Sequence, residues 1–196
     1  MSSSRAVPPS RHVLFWLLAL AGLTADLWSK HTMFSQPDLL AGNVRWVWPG
    51  HAGFQLSLNE GALFGMGQGG VWVFAVCSTA AAIAIPVWLF LFGGARDGPL
   101  TAVLGTILGG VLGNLYDRLG LPGLDWKILD ADRAGEPVYA VRDFVLLSWQ
   151  WPPQARWHVW PNFNIADSLL VCGAIAIVLL SLRRTDAGER VEKQLD

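Results

Sequence analysis

Charge is what this chain has little of. Only 15% of its 196 residues are Asp, Glu, Lys or Arg, and their near balance leaves a formal net charge of -1. Such a chain lacks the basic surface that a nucleic-acid partner needs. Cysteine is nearly absent: Cys77 and Cys172 are the only two, each inside an apolar run. That excludes a disulfide framework, and both read as small buried hydrophobes. The four histidines (His12, His31, His51, His158) are scattered, and none lies in the core of an apolar run. There is no His-Glu-x-x-His for a zinc peptidase, no Gly-x-Ser-x-Gly, and no serine with an evident base partner. Carboxylates remain as candidate catalysts, with no metal and no cofactor expected.

Apolar residues dominate instead, at 53%, with a mean hydropathy of +0.39. This composition points to a multi-spanning membrane protein. Four segments are long and apolar enough to cross a bilayer: about 13–28, 71–92, 100–116 and 165–182. Pro86 falls inside the second, where neighbouring helices can re-satisfy the freed carbonyl. The first resembles a signal-peptide core behind Arg5 and Arg11. It lacks a small-x-small cleavage site and three more spans follow, so it is expected to be a retained helix. The length allows one domain, 1–196. The expected fold is an all-α membrane protein: four transmembrane helices with a small β-sheet on the outer (periplasmic) surface.

Arg5, Arg11, Arg96, Arg183 and Arg184 flank the spans on the side with short connections. Lys30, Arg45, Lys127, Arg133, Arg142 and Arg156 are spread over the longer loops. The positive-inside rule weights short loops, so both tails (1–11 and 185–196) are expected in the cytoplasm. Loops of about 31–70 and 119–162 are then periplasmic. Asn43 to Asn59 alternates apolar and polar residues around Pro49-Gly50 and reads as a strand pair. Its Trp46 and Trp48 suit the headgroup layer and could hold a substrate from above. Gly120 to Pro161 is broken by Pro122-Gly123, Gly135, Pro137 and Pro152-Pro153, and its middle is expected to be irregular. Within it, Phe144 to Trp151 is apolar enough to dip into the interface.

Against this background two aspartates stand out: Asp143 in Val-Arg-Asp-Phe, and Asp167 at the mouth of the last span. An ionisable group at membrane depth costs about 2.5 kcal/mol or more and usually has a task. Two carboxyls that converge can share a proton and activate water. Each has a plainer reading. Asn164 and Asp167 resemble a capping box, and Asp143 could pair with adjacent Arg142. Asp26 and Lys30, four apart, form either a surface ion pair with Lys30 snorkelling, or a brace facing the bundle. Asn59-Glu60-Gly61 reads as a turn or as a polar contact for a peptide or lipid carbonyl. Gly109 and Gly113 make a small-xxx-small face. Asn114, Asp117 and Arg118 at the end of that span need partners across the bundle.

In order, Asp26-x-x-x-Lys30, Asn59-x-Gly61-Ala62-x-Phe64-Gly65, Gly113-Asn114-x-x-Asp117-Arg118, Asp143-Phe144 and Phe163-Asn164-x-Ala166-Asp167 resemble the lipoprotein signal peptidases (signal peptidase II) of bacteria. The match covers about residues 13 to 182. The resemblance implies an aspartic endopeptidase of the bacterial inner membrane. It would remove the signal peptide from diacylglyceryl-modified prolipoproteins, cutting just before the lipidated cysteine. It implies Asp143 and Asp167 as the catalytic pair. Asp26, Lys30, Asn59, Gly61, Asn114, Asp117, Arg118, Asn164 and Ala166 would bind substrate or brace the site. It implies membrane lipids as neighbours and globomycin-type inhibitors as ligands of the site; a monomer would suffice. Two departures stand out. The stretch of about 120–139 is longer than is usual in the family. Arg142 also replaces a small apolar residue before Asp143, where a cation would tend to lower the Asp143 pKa. Should Asp143 not be the first acid, Asp130 and Asp132 in the same loop are the next candidates. A rival reading, a small transporter, would place its acids near the midplane, often on repeated helices. Here they gather at one boundary without a repeat. An inactive scaffold is the third reading, and the presence of both acids gives no reason to prefer it.

Overall fold

Among the described residues these runs form five α-helices and four strands. In the computed structural model, residues 7–61, 69–151, 153 and 156–192 are described; Arg5, Ala62, Phe64, Gly65 and Pro152, named above, lie outside them. Helix α1 (Pro9–Met33) starts with proline in its first turn, where the missing N–H has no intrahelical acceptor to lose. A short α2 (Pro37–Leu40) follows, then strands β1 (Arg45–Trp48) and β2 (Ala52–Asn59). Helices α3 (Val71–Leu91) and α4 (Gly98–Arg118) are joined by a tight turn. In it Gly93 has φ 80°, and the Asp97 carboxylate accepts the Leu100 N–H at 3.0 Å as the α4 cap. Strands β3 (Val141–Trp149) and β4 (His158–Phe163) precede α5 (Ile165–Glu192).

Helices α1, α3, α4 and α5 are each long and apolar enough to cross a membrane. Helix α4 is central, packing on α1, α3 and α5. Its glycines set the spacing. A Cβ on Gly105 or Gly109 would stand 2.7 Å from the Phe15 carbonyl or 2.8 Å from that of Ala19, and on Gly113 it would overlap the Asp26 carboxylate. On the α5 side a Cβ on Gly110 would sit 2.7 Å from the Ala166 carbonyl. Glycine at four-residue spacing lets two backbones approach closely, the small-xxx-small packing that needs no hydrophobic drive in lipid. The helices run past their apolar runs at both ends: α1 begins at Pro9 and α5 continues to Glu192. Helix propagation costs little once the turn is nucleated, so residues expected in tails are helical.

Three further expectations give way. In the loop of about 120–161 only an irregular middle and a Phe144 to Trp151 segment dipping into the interface are expected, with no strands. The loop supplies instead two strands of an antiparallel sheet ordered β1-β2-β3-β4. Two features hid them. Arg142 and Asp143 lie on opposite faces yet are both buried, which erases the polar–apolar alternation. Pro161 sits in β4, an edge strand, where a missing N–H is tolerated. Cys77 and Cys172 are exposed rather than buried, because the outer faces of spanning helices are apolar without being covered by protein. Lys30 is fully buried and does not snorkel.

Candidate active site at one end of the bundle

Strand alternation is the first determinant of the site. β3 pairs with β2 so that Asp143 lies opposite Ser57 and Val141 opposite Asn59. Successive side chains point to opposite faces. Phe144 therefore joins Phe34, Leu39 and Leu56 in an apolar cluster, and Asp143 turns the other way. The Asn59 amide, on the same face, donates to Asp143 Oδ2 at 3.2 Å.

The same alternation removes Arg142 from Asp143. The Arg142 side chain reaches Asp117 at the end of α4, its Nε donating to Oδ1 at 2.9 Å and its Nη2 lying 2.8 Å away. Its backbone N–H donates to Asp117 Oδ2 at 3.1 Å. The expectation that Arg142 would pair with Asp143 or lower its pKa therefore fails. Burial pushes the Asp143 carboxyl up to about 8; the neighbouring Asp167 charge adds to this, and the Asn164 and Asn59 amides oppose it.

Lys30 is the hub of the buried network. Its ammonium forms ion pairs with Asp26 Oδ2 at 2.7 Å and Asp117 Oδ2 at 3.0 Å and donates to Asn114 Oδ1 at 2.9 Å. Because Lys30 can only donate, it fixes the Asn114 carbonyl toward itself and turns the Asn114 amide to Asp167 Oδ1, at 2.8 Å. The other oxygen of Asp26 accepts the Ala166 N–H at 2.8 Å, an orphan donor in the first turn of α5. Asp26 and Lys30 are thus an i,i+4 pair, but one that locks α1 to α4 and α5.

Asn164 joins the two aspartates. Its Oδ1 accepts the Asp167 N–H at 2.9 Å, and its own N–H donates to Asp167 Oδ2 at 3.2 Å, a reciprocal capping box with aspartate in the fourth position. The Asn164 amide is left free to donate to Asp143 Oδ1 at 2.7 Å and, more weakly, to Asn114 Oδ1 at 3.2 Å. The capping reading and the site reading of Asp167 are therefore the same geometry. Arg118 completes the group. Its Nη2 donates to the Gly61 carbonyl at 3.0 Å, its buried Nε has no hydrogen-bond partner among the described residues, and its charge acts on Asp167, Asp143 and Asp117.

Two clefts open on the aspartates. One of about 460 Å³ runs between β2 and β4 with Asp143, Gln55, Ser57 and Asn59 in its walls. The other, about 260 Å³, runs down α5 from Asp167 past Ser168 to Val171 and Cys172, under Leu147 and Phe163. Trp160 and Asn162 line both. These two residues, and Arg142 as the partner of Asp117, were missed from the sequence, and recognising β3 and β4 would have found them. A larger groove of about 680 Å³ near Leu23, Trp28 and Tyr116 touches neither aspartate. Asp130 and Asp132 line neither cleft; Asp130 caps its own turn through the Asp132 N–H at 3.1 Å. Among the described residues no group of three or more His, Cys, Asp or Glu side chains is placed to hold a metal ion.

The chain is similar to known proteins. The family model described as signal peptidase (SPase) II matches residues 18–183. A lipoprotein signal peptidase of Rhodopirellula baltica is 46% identical over 184 residues, 92% of this chain and 76% of its own. One of Pseudomonas fluorescens is 34% identical, covering 91% and 93%. A solved bacterial membrane enzyme superposes with a TM-score of 0.65 over 86% of this chain and 87% of its own, at 24% identity, which bears on the fold. The family match spans every element of the buried network from Asp26 to Asp167, and the chain belongs to the signal peptidase II family.

Proposed function

We propose that this peptidase is of the aspartic type, with Asp143 and Asp167 as its catalytic pair, and that it removes the signal peptide from prolipoproteins. The observation that carries the reading is the Asn164 bridge, which holds both carboxyls at one boundary of the bundle. Charge balance supports it. The buried network sets four carboxyl groups (Asp26, Asp117, Asp143, Asp167) against three cations (Lys30, Arg118, Arg142). In a low-dielectric site an uncompensated charge is costly, and one proton on the aspartate pair makes the network neutral.

The proton rests on Asp143, in keeping with its raised pKa of about 8. Ionised Asp167 accepts a proton from a water whose oxygen attacks the scissile carbonyl carbon. Asp143 gives its proton to the carbonyl oxygen as charge develops there. As the tetrahedral intermediate collapses, Asp143 takes a hydroxyl proton back so that the C=O re-forms, the C–N bond breaks, and the proton on Asp167 passes to the leaving amine. Asn114 and Asn164 orient Asp167. Arg118 moderates the negative charge of the pair, and Asp26, Lys30, Asp117 and the Ala166 N–H brace it.

The substrate is a diacylglyceryl-modified prolipoprotein, cut before its lipidated cysteine. The more polar cleft along β2 and β4 suits extended peptide, and the apolar cleft down α5 suits chain that stays in lipid. Globomycin-type inhibitors would occupy the same clefts. The enzyme sits in the bacterial inner membrane as a monomer with lipids around it, both termini cytoplasmic and the aspartates at the periplasmic side. The test is cleavage of a diacylglyceryl-modified prolipoprotein by the purified protein in detergent, beside Asp143→Asn and Asp167→Asn. Each variant should fold and lose at least about 100-fold in kcat; near-normal cleavage by either would refute the mechanism.

A further inference from the structure

The connection between α4 and β3 is a folded unit, and the reaction proposed above uses none of it. Trp126 is buried with Val138 and Ala140 against Leu58 of β2 and Leu124. The backbone closes through Trp126 N–H to Glu136 O and Val138 N–H to Leu124 O, both 2.9 Å. The Asp125 carboxylate accepts the Lys127 N–H at 2.9 Å and the Gly135 N–H at 3.1 Å. Arg133 projects from this frame. The Arg133 guanidinium lies 3.7 Å above the Trp126 ring, donates from Nε to Glu136 at 2.8 Å, and extends Nη2 to Glu60 at 3.4 Å. Ring and Glu136 fix the planar fork on two sides, so its remaining edge meets Glu60 with little freedom left to lose.

Glu60 stands between two residues that touch the aspartate network. Asn59 donates to Asp143 and the Gly61 carbonyl accepts from Arg118. Asn59 is the last residue of β2, and the ladder to β3 ends there. Past that point the chain needs side-chain contacts to fix its course.

We propose that Arg133 is a positioning residue, gripping Glu60 so that the Asn59 amide stays on the Asp143 carboxyl. The inference rests on the aspartic reading above. A half-exposed pair adds little to stability. Its effect is on geometry, where a small misplacement of a group at the reacting centre costs rate.

The experiment measures kcat, KM and melting temperature of the full chain in detergent for Arg133→Ala, Glu60→Ala, their double variant and Arg133→Lys. Arg45→Ala is the control, because it breaks an exposed pair, with Asp38, at the far edge of the sheet. Each of the two alanine variants should lower kcat about fivefold with KM within about twofold. The double variant should be no worse than either single, the signature of one shared contact. Arg133→Lys should recover part of the rate, and Arg45→Ala should keep all of it. Unchanged kcat in Arg133→Ala, or additive losses in the double variant, would overturn the proposal. The series includes Asp143→Asn. An inactive Asp143→Asn beside a fully active Arg133→Ala removes the grip alone, whereas an active Asp143→Asn removes the aspartic reading and the grip with it.

Discussion

At the residue scale, Asp143, proposed above as one of the catalytic pair, carries the titration with the clearest consequences. Its carboxyl is raised to about 8, by burial first and by Asp167 second. Two consequences follow, both with the same sign. Activity should fall as pH rises through about 8, because the pair loses the proton that serves as the acid. Stability should fall as well, over the range that leads up to that value. Between about pH 4 and 8 the folded chain holds a proton that the unfolded chain releases, so the contribution is complete below about 4 and is lost as pH rises through about 8. Asp143→Asn is neutral throughout, so its melting temperature relative to the parent should climb between about pH 5 and pH 9. A constant difference across that range would mean that Asp143 is ionised in the folded chain at all of them.

At the element scale, contact between α1 and α4 decides whether the network can form. Gly105, Gly109 and Gly113 bring the α4 backbone against α1, and at Gly113 an added Cβ meets the Asp26 carboxylate. Gly113→Ala should therefore displace Asp26 from Lys30 and from the Ala166 N–H, the three-way lock of α1, α4 and α5. The expected outcome is a loss of about 1–3 kcal/mol, the usual range for overpacking, read as a lower melting temperature in detergent, together with reduced cleavage. Wild-type stability and rate in Gly113→Ala would show that Asp26 has room to move. The sheet makes the complementary contribution. Pairing of β2 with β3 sets Asn59 and Asp143 on one face and sends Arg142 to Asp117 on the other.

At the scale of the whole molecule, the network behaves as one charge-balanced unit. Lys30→Met should be among the most damaging single changes, because it leaves Asp26 and Asp117 without the cation between them. Breaking a buried pair from one side costs about 3–5 kcal/mol. Adding Asp26→Asn should restore part of the lost melting temperature by removing one of the stranded charges, and a further loss in the double variant would contradict this account. Much of the molecule was legible in order along the chain. Apolar runs longer than a bilayer is thick leave few alternatives to spanning helices, and the polar blocks at their ends sit at fixed offsets within one helix turn. Asp26 with Lys30, and Asn114 with Asp117, share faces for that local reason. The partners of those blocks were not legible. That Lys30 turns inward, that Arg142 serves Asp117 and leaves Asp143 raised, and that the stretch after α4 builds two strands and a folded connection all depend on residues 25 to 140 positions apart. The sequence by itself determined the four helices, the pairs along them and the two aspartates. Only the tertiary structure decided which face of β3 each charge occupies and which charges meet, because burial of a charge is settled by the partner that neutralises it, and that partner arrives from another element.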